Sequence, residues 1–389
     1  MPSHARPAAG NVDTQALGEC LTLADEGAAS AAGVLSGFAG VEFAVDSTSI
    51  TVLTDGDLQE PFADAIGLTV DLDGGFPGQT LLAFDRADAD CLLERPPERT
   101  EGSLDADHRS SLRESADLVA GELVEGLAAR LGGRVERSPP TFHDQLDEAT
   151  LLADSPGSGK LAYESRLSGG DVTVTLLTVP RGYAVEYLLT DRPAGEPDVV
   201  PLAAVEALDA AAGDGAAAGA DLLAEITGIQ CTIERDRLQF AAVRGLPDRL
   251  GDEPLTGTVF GLNGGRDGYL AVLLDRASAH TVTDTRVPGG AESLGIGTSA
   301  VAGLSRALGS GFLDGWADRF ADVTLTSPAT VEGAGTDVLE PVLRRVGSEC
   351  ENTFSVEATL CDAETGVSCE LLALPADHYL ATLDSEQPP

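Results

Sequence analysis

Between residues 16 and 38, Leu17, Leu21, Ala24, Ala28, Ala31, Leu35 and Phe38 form a recurring apolar set. That is the i, i+4, i+7 spacing of one face of a helix. Residues 43–45, 49–53 and 80–84 are short apolar runs and read as strands, the last set up by the turn Gly74-Gly75-Phe76-Pro77-Gly78. A second helix is expected over 110–131, with Leu112, Ala116, Val119, Leu123 and Leu127 on its apolar stripe and Gly132-Gly133 at its end. Ser138-Pro139-Pro140 breaks the chain, and a hairpin with strands at 160–166 and 172–179 follows.

The pattern then starts again. Gly78 to Ala87 returns as Gly268 to Ala277, 190 residues on. Gly27 to Val41 returns as Gly215 to Ile229 at an offset of 188, and Leu123 to Ala128 as Phe312 to Ala317 at 189. Three segments at nearly one offset point to a tandem duplication. The expected division is a flexible leader (1–13), a first domain (14–192), a linker (193–199), a second domain (200–384) and a tail (385–389). Inside each copy, helix then strands is followed by helix then strands, a half-unit of about 92 residues (114 − 22). The fold class expected is α+β: two tandem units, each a mainly antiparallel sheet carrying two long helices, with a pseudo-two-fold inside each unit.

Composition narrows the setting. Against 64 acidic residues stand 24 basic ones, a net charge of −40, and Lys160 is the only lysine. The acidity runs along the whole chain, and 43% hydrophobic content with clear periodicity argues against a disordered acidic protein. Dispersed acidity with so little lysine fits a proteome held in high salt, such as that of a halophilic archaeon, where self-repulsion is screened. It argues against nucleic acid or an anionic membrane as partner. Six cysteines show no C-x-x-C spacing and five histidines no metal spacing, so reduced thiols and no metal site are expected. No apolar run approaches a membrane span and no signal core opens the chain. A soluble, cytoplasmic protein is the expectation.

Candidate chemistry lies on the second helix. Opposite its apolar stripe run Ser110, Glu114, Asp117 and Gly121. At about 100° per residue these four fall on one line. Two carboxylates one turn apart, with a hydroxyl and a glycine, form a polar strip along which a partner can lie, the glycine admitting it to the backbone. The plain alternative is a solvated face in an acidic protein.

The stretch Ser110-x-x-x-Glu114-x-x-Asp117-x-x-x-Gly121, followed by Ser138-Pro139-Pro140, resembles the CheC family of chemotaxis phosphatases. With its relatives CheX and FliY, that family carries S/D-x-x-x-E-x-x-N-x-x-x-G on equivalent helices. Gly27-Ala28-Ala29-Ser30-Ala31-Ala32 with Leu35 resembles the family's first helix, and the resemblance extends over both copies. It implies removal of phosphate from the aspartyl-phosphate of a CheY-type response regulator. The chain would need no cofactor of its own, since the regulator supplies Mg²⁺. In the family the Asn orients the attacking water and the Glu pairs with a lysine of the regulator, which is catalysis by positioning and electrostatics. A CheD-type deamidase and motor-switch proteins are further partners implied by the resemblance.

The departures matter. Glu114 matches, but Asp117 stands where the family has Asn; a carboxylate accepts without donating and brings a charge that repels a phosphoryl group. Thr22 and Asp25 stand at the corresponding first-helix positions as a second, degenerate site. In the second copy these four positions hold Ala210 and Gly213, then Gly303 and Arg306. Two readings stay open: a phosphatase using Glu114 and Asp117 in control of taxis and archaellar motility, and a non-catalytic protein that binds the regulator, a CheD-type deamidase or the motor switch.

Overall fold

A computed structural model describes residues 10–53, 65–93, 104, 106–146, 160–193, 196, 198–251, 253–263, 267–286, 297–316, 323–348, 350–376 and 380. The chain divides into two compact units, one of residues 14–189 and one of residues 190–389 together with 1–13. Most of the expected leader, and the tail at 385–389, lie outside the described residues.

Strand β1 (Asn11–Asp13) comes first in the chain, and the N-terminal unit then begins with α1 (Thr14–Ala39), β2 (Ala44–Leu53), β3 (Ile66–Gly74), β4 (Gly78–Phe84), α2 (Arg86–Leu92) and α3 (Ala106–Arg130). Then come β5 (Val135–Arg137), β6 (Thr141–His143), β7 (Lys160–Gly169), β8 (Val172–Pro180), α4 (Tyr183–Glu186) and, at the unit boundary, β9 (Leu189–Thr190). The strands pair antiparallel in the order β2-β7-β8-β4-β3-β5, with β6 also on β3. Strands β4 and β8 meet at the centre, and each half of the sheet is built alike outward from them. This is the pseudo-two-fold that the half-unit echo predicts.

Both long helices pack on the sheet, α1 on β2 and β7, α3 on β3, β5 and β6, and they pack on each other. Leu17, Leu21, Ala24, Ala28, Ala31 and Leu35 of α1 are buried, as are Leu112, Ala116, Val119, Leu123 and Leu127 of α3. Their crossing requires glycine. A Cβ on Gly27 would stand 2.2 Å from the Leu123 carbonyl oxygen. The left-handed Gly132 (φ +80°) and the Gly133 N–H to Ala128 O bond (3.1 Å) close α3.

The other unit repeats the plan. It contains β10 (Val199–Pro201), α5 (Leu202–Thr227), β11 (Thr232–Ala242), α6 (Leu246–Arg249), β12 (Pro254–Leu262), β13 (Gly268–Asp275), α7 (Arg276–Arg286) and α8 (Gly297–Asp314). Strand β14 (Leu325–Ala334), α9 (Gly335–Val338), α10 (Glu340–Val346), β15 (Asn352–Asp362) and β16 (Val367–Pro375) complete it. Its strand order, β14-β12-β13-β16-β15-β11, matches the first unit strand for strand. The glycine at the crossing recurs too: a Cβ on Gly215 would come 2.7 Å from Phe312 O. Trp316 is fully buried, 5.4 Å from the Phe312 ring, which makes it core.

Three features differ from the sequence reading. Residues 43–45 and 49–53, read as separate strands, fall on one strand, β2, which begins at Ala44 and is broken only by an irregular register between Val45 and Ser47. Residues 11–13, within the expected leader, pair with Val199–Pro201 and so form part of the C-terminal unit. The C-terminal sheet also buries its second face. Ala271 and Leu273 join Leu246, Val338 and Leu343 in one cluster. Leu270 faces the other way, toward Gly309 of α8. Both faces being covered explains why β13 reads as a continuous apolar run.

Candidate functional site on the α3 face

Helix α3 presents its polar line outward because its apolar stripe is committed to α1 and the sheet. Ser110 and Glu114 are exposed, and Asp117 and Gly121 are half-buried. The start of the helix is tied down by Arg109, whose Nε donates to Leu104 O (2.8 Å) and whose Nη2 donates to Asp144 (2.8 Å). The same guanidinium lies 5.0 Å above the Phe142 ring of β6.

The segment after the helix completes the face. Strand β5 sets Arg137 opposite Leu72 of β3. The break at Ser138 fixes that end: Ser138 N–H donates to Asp71 O (2.9 Å), and its Oγ accepts from Asp71 N–H (2.9 Å). From this anchored position Arg137 reaches back over α3. Its Nε donates to Asp117 Oδ1 (3.1 Å) and its Nη2 to Oδ2 (3.5 Å). Nη1 lies where a side chain at residue 121 would begin, since a Cβ on Gly121 would stand 1.9 Å from it. The glycine read from sequence as an opening for a partner is thus covered by the chain's own arginine. Asp117 is not a lone carboxylate; it is half of an ion pair, with 41% of its side chain exposed against 34% for Arg137. Sequence reasoning missed Arg137, whose only signal was its place directly before Ser138-Pro139-Pro140.

The remaining candidate positions differ in kind. Thr22 and Asp25 are exposed on α1, but the Thr22 hydroxyl is turned onto its own helix, donating to Gly18 O (3.0 Å). In the C-terminal unit Gly303 and Arg306 are exposed on α8, and the Arg306 guanidinium lies 6.0 Å from the Phe260 ring centroid. Neither carboxylate remains there. The described residues include no group of His, Cys, Asp and Glu placed to hold a metal ion, and no helix long and apolar enough to cross a membrane.

No protein-family model matches the chain. A Halobacterium salinarum protein named as a candidate CheY-P phosphatase, CheC1, is 25% identical over 183 residues, which are 46% of this chain and 92% of that protein. Among solved structures, Thermotoga maritima FliY aligns at 16% identity and a TM-score of 0.36, over 48% of this chain and 98% of its own. A chain of the Borrelia burgdorferi CheX–CheY–BeF3–Mg²⁺ complex aligns at 18% identity and a TM-score of 0.27, over 39% of this chain and 93% of that one. Over 46% of its length, then, the chain is similar to a CheC-type chemotaxis protein.

Proposed function

We propose that the protein removes phosphate from the aspartyl-phosphate of a CheY-type response regulator, using the α3 face of its N-terminal unit. The observation that carries this reading is the exposure of Glu114 beside Asp117 on a helix whose opposite side is wholly committed to the core. The name of the Halobacterium relative and the CheX–CheY complex support the choice of substrate. Glu114, the more exposed carboxylate, reaches a cation of the regulator, and Asp117 accepts a hydrogen bond from the attacking water. The water oxygen forms the new bond to phosphorus while the bond to the regulator's carboxylate breaks. The carboxylate leaves with the bond's electrons, and one proton of the water moves to a phosphoryl oxygen, releasing dihydrogen phosphate. Mg²⁺ belongs to the regulator, and the chain contributes position and charge.

In this reading the C-terminal unit keeps the frame and lacks the chemistry, because Gly303 and Arg306 stand at the two positions. The pathway is the control of taxis and archaellar motility in a high-salt cytoplasm, with a CheD-type deamidase and the motor switch as further partners. A second reading, a binding protein without catalysis, is favoured by the Asn-to-Asp difference at residue 117. Phosphate release from the phosphorylated regulator, with Mg²⁺ in high salt, separates the two. Acceleration by the wild type supports the phosphatase, and binding without acceleration supports the second reading.

A further inference from the structure

We propose that Arg137 is a positioning residue for this reaction, neutralising Asp117 and orienting its carboxylate so that the pair does the work of an amide at residue 117. The proposal rests on the phosphatase reading of α3. A lone aspartate has two faults there: it has no donor to offer, and its charge opposes an approaching phosphoryl group. Arg137 answers both. It holds both carboxylate oxygens, at 3.1 and 3.5 Å. Its Nη1 makes no hydrogen bond among the described residues and lies over the bare backbone at Gly121.

An exposed ion pair of ordinary kind contributes little and needs no special site. This one is built. Strand β5 and the Ser138–Asp71 bonds fix where Arg137 starts, and the absence of a side chain at residue 121 makes room for where it ends. The other unit gives an internal control. Arg137 lies opposite Leu72; its counterpart by register is Leu325, opposite Leu262, and at the 189-residue offset it is Thr326. Arg306 replaces Asp117 and Ser310 replaces Gly121 at the same offset. The aspartate, the glycine and the arginine are all replaced in the unit that has also lost the glutamate, as parts of one device would be.

The test is a double-substitution cycle in the full-length protein. It measures phosphate release from a phosphorylated CheY-type regulator and binding of that regulator's beryllofluoride form. Arg137→Ala is expected to slow release on the order of tenfold, the effect of losing a charge-assisted hydrogen bond. Adding Asp117→Asn to Arg137→Ala is expected to restore release, because an amide brings its own donor and no charge. A loss through misfolding would not be rescued this way. Arg137→Gln, which keeps the stem as far as Cδ and removes the charge, must slow release as Arg137→Ala does. Release unchanged in both Arg137 variants, or a double variant as slow as Arg137→Ala, overturns the proposal while leaving the phosphatase reading intact. A wild type that releases no phosphate overturns that reading as well, whether or not the regulator binds.

Discussion

Glycine 121 carries a prediction at the level of single atoms. A methyl group there would stand 1.9 Å from Arg137 Nη1, the far end of a flexible side chain. The arginine can swing away, and alanine favours the helix by about 1 kcal/mol over glycine. Gly121→Ala is therefore expected to melt no lower than the wild type and still to slow phosphate release as Arg137→Ala does. A folded Gly121→Ala protein with full release would contradict the role given to Arg137. Glu114, Asp117 and Gly121 were legible in the sequence because helical spacing puts them on one line. Arg137 was not legible: its contact spans 20 residues and exists only once β5 has paired with β3.

Among the elements, the two long helices were easiest to read, because α1 and α3 bury unbroken i, i+4 stripes. Strand β3 was missed. Its end, Asp71 to Gly74, alternates exposed acidic positions with one buried leucine and merges into the glycine turn, so its composition reads as loop. The α1–α3 crossing gives a stability test. Gly27→Ala forces a Cβ to 2.2 Å from a backbone oxygen that cannot move alone. The cost expected is about 1–3 kcal/mol, a drop of roughly 2–4 °C in melting temperature for each kcal/mol in a domain of this size. Gly215→Ala, with its contact at 2.7 Å, should lose less. Equal stability of Gly27→Ala and wild type would refute the crossing.

The contact of α1 with β7 is also sensitive to alkali. Burial pushes the Cys20 thiol above its ordinary 9.0 and the Tyr163 phenol well above 10.0. Both raised values favour the neutral forms. Their stability contribution is complete below about pH 9 and is lost as pH rises toward the folded values. A urea midpoint for the N-terminal unit that falls as pH rises from about 9 to 10.5, and falls less in Cys20→Ala, is the expected result; a midpoint flat with pH counts against it.

At the scale of the whole molecule, charge decides the conditions under which any of this is measurable. A net charge of −40 spread over 389 residues repels itself most strongly when ions are scarce. The screening length is about 10 Å at 0.1 M salt and about 3 Å at 1 M, so added salt should raise the melting temperature. A melting temperature that stays level from low to molar salt would contradict this. The two-unit plan was legible because sequence segments return at nearly one offset, and the two units share their strand order.

The measurement that bears most directly on the account is phosphate release from a phosphorylated CheY-type regulator, in molar salt with Mg²⁺. It compares wild type, Glu114→Ala and Arg306→Ala. Acceleration by the wild type, its loss in Glu114→Ala, and full retention in Arg306→Ala are the expected results. Release by Glu114→Ala as fast as by the wild type would contradict it.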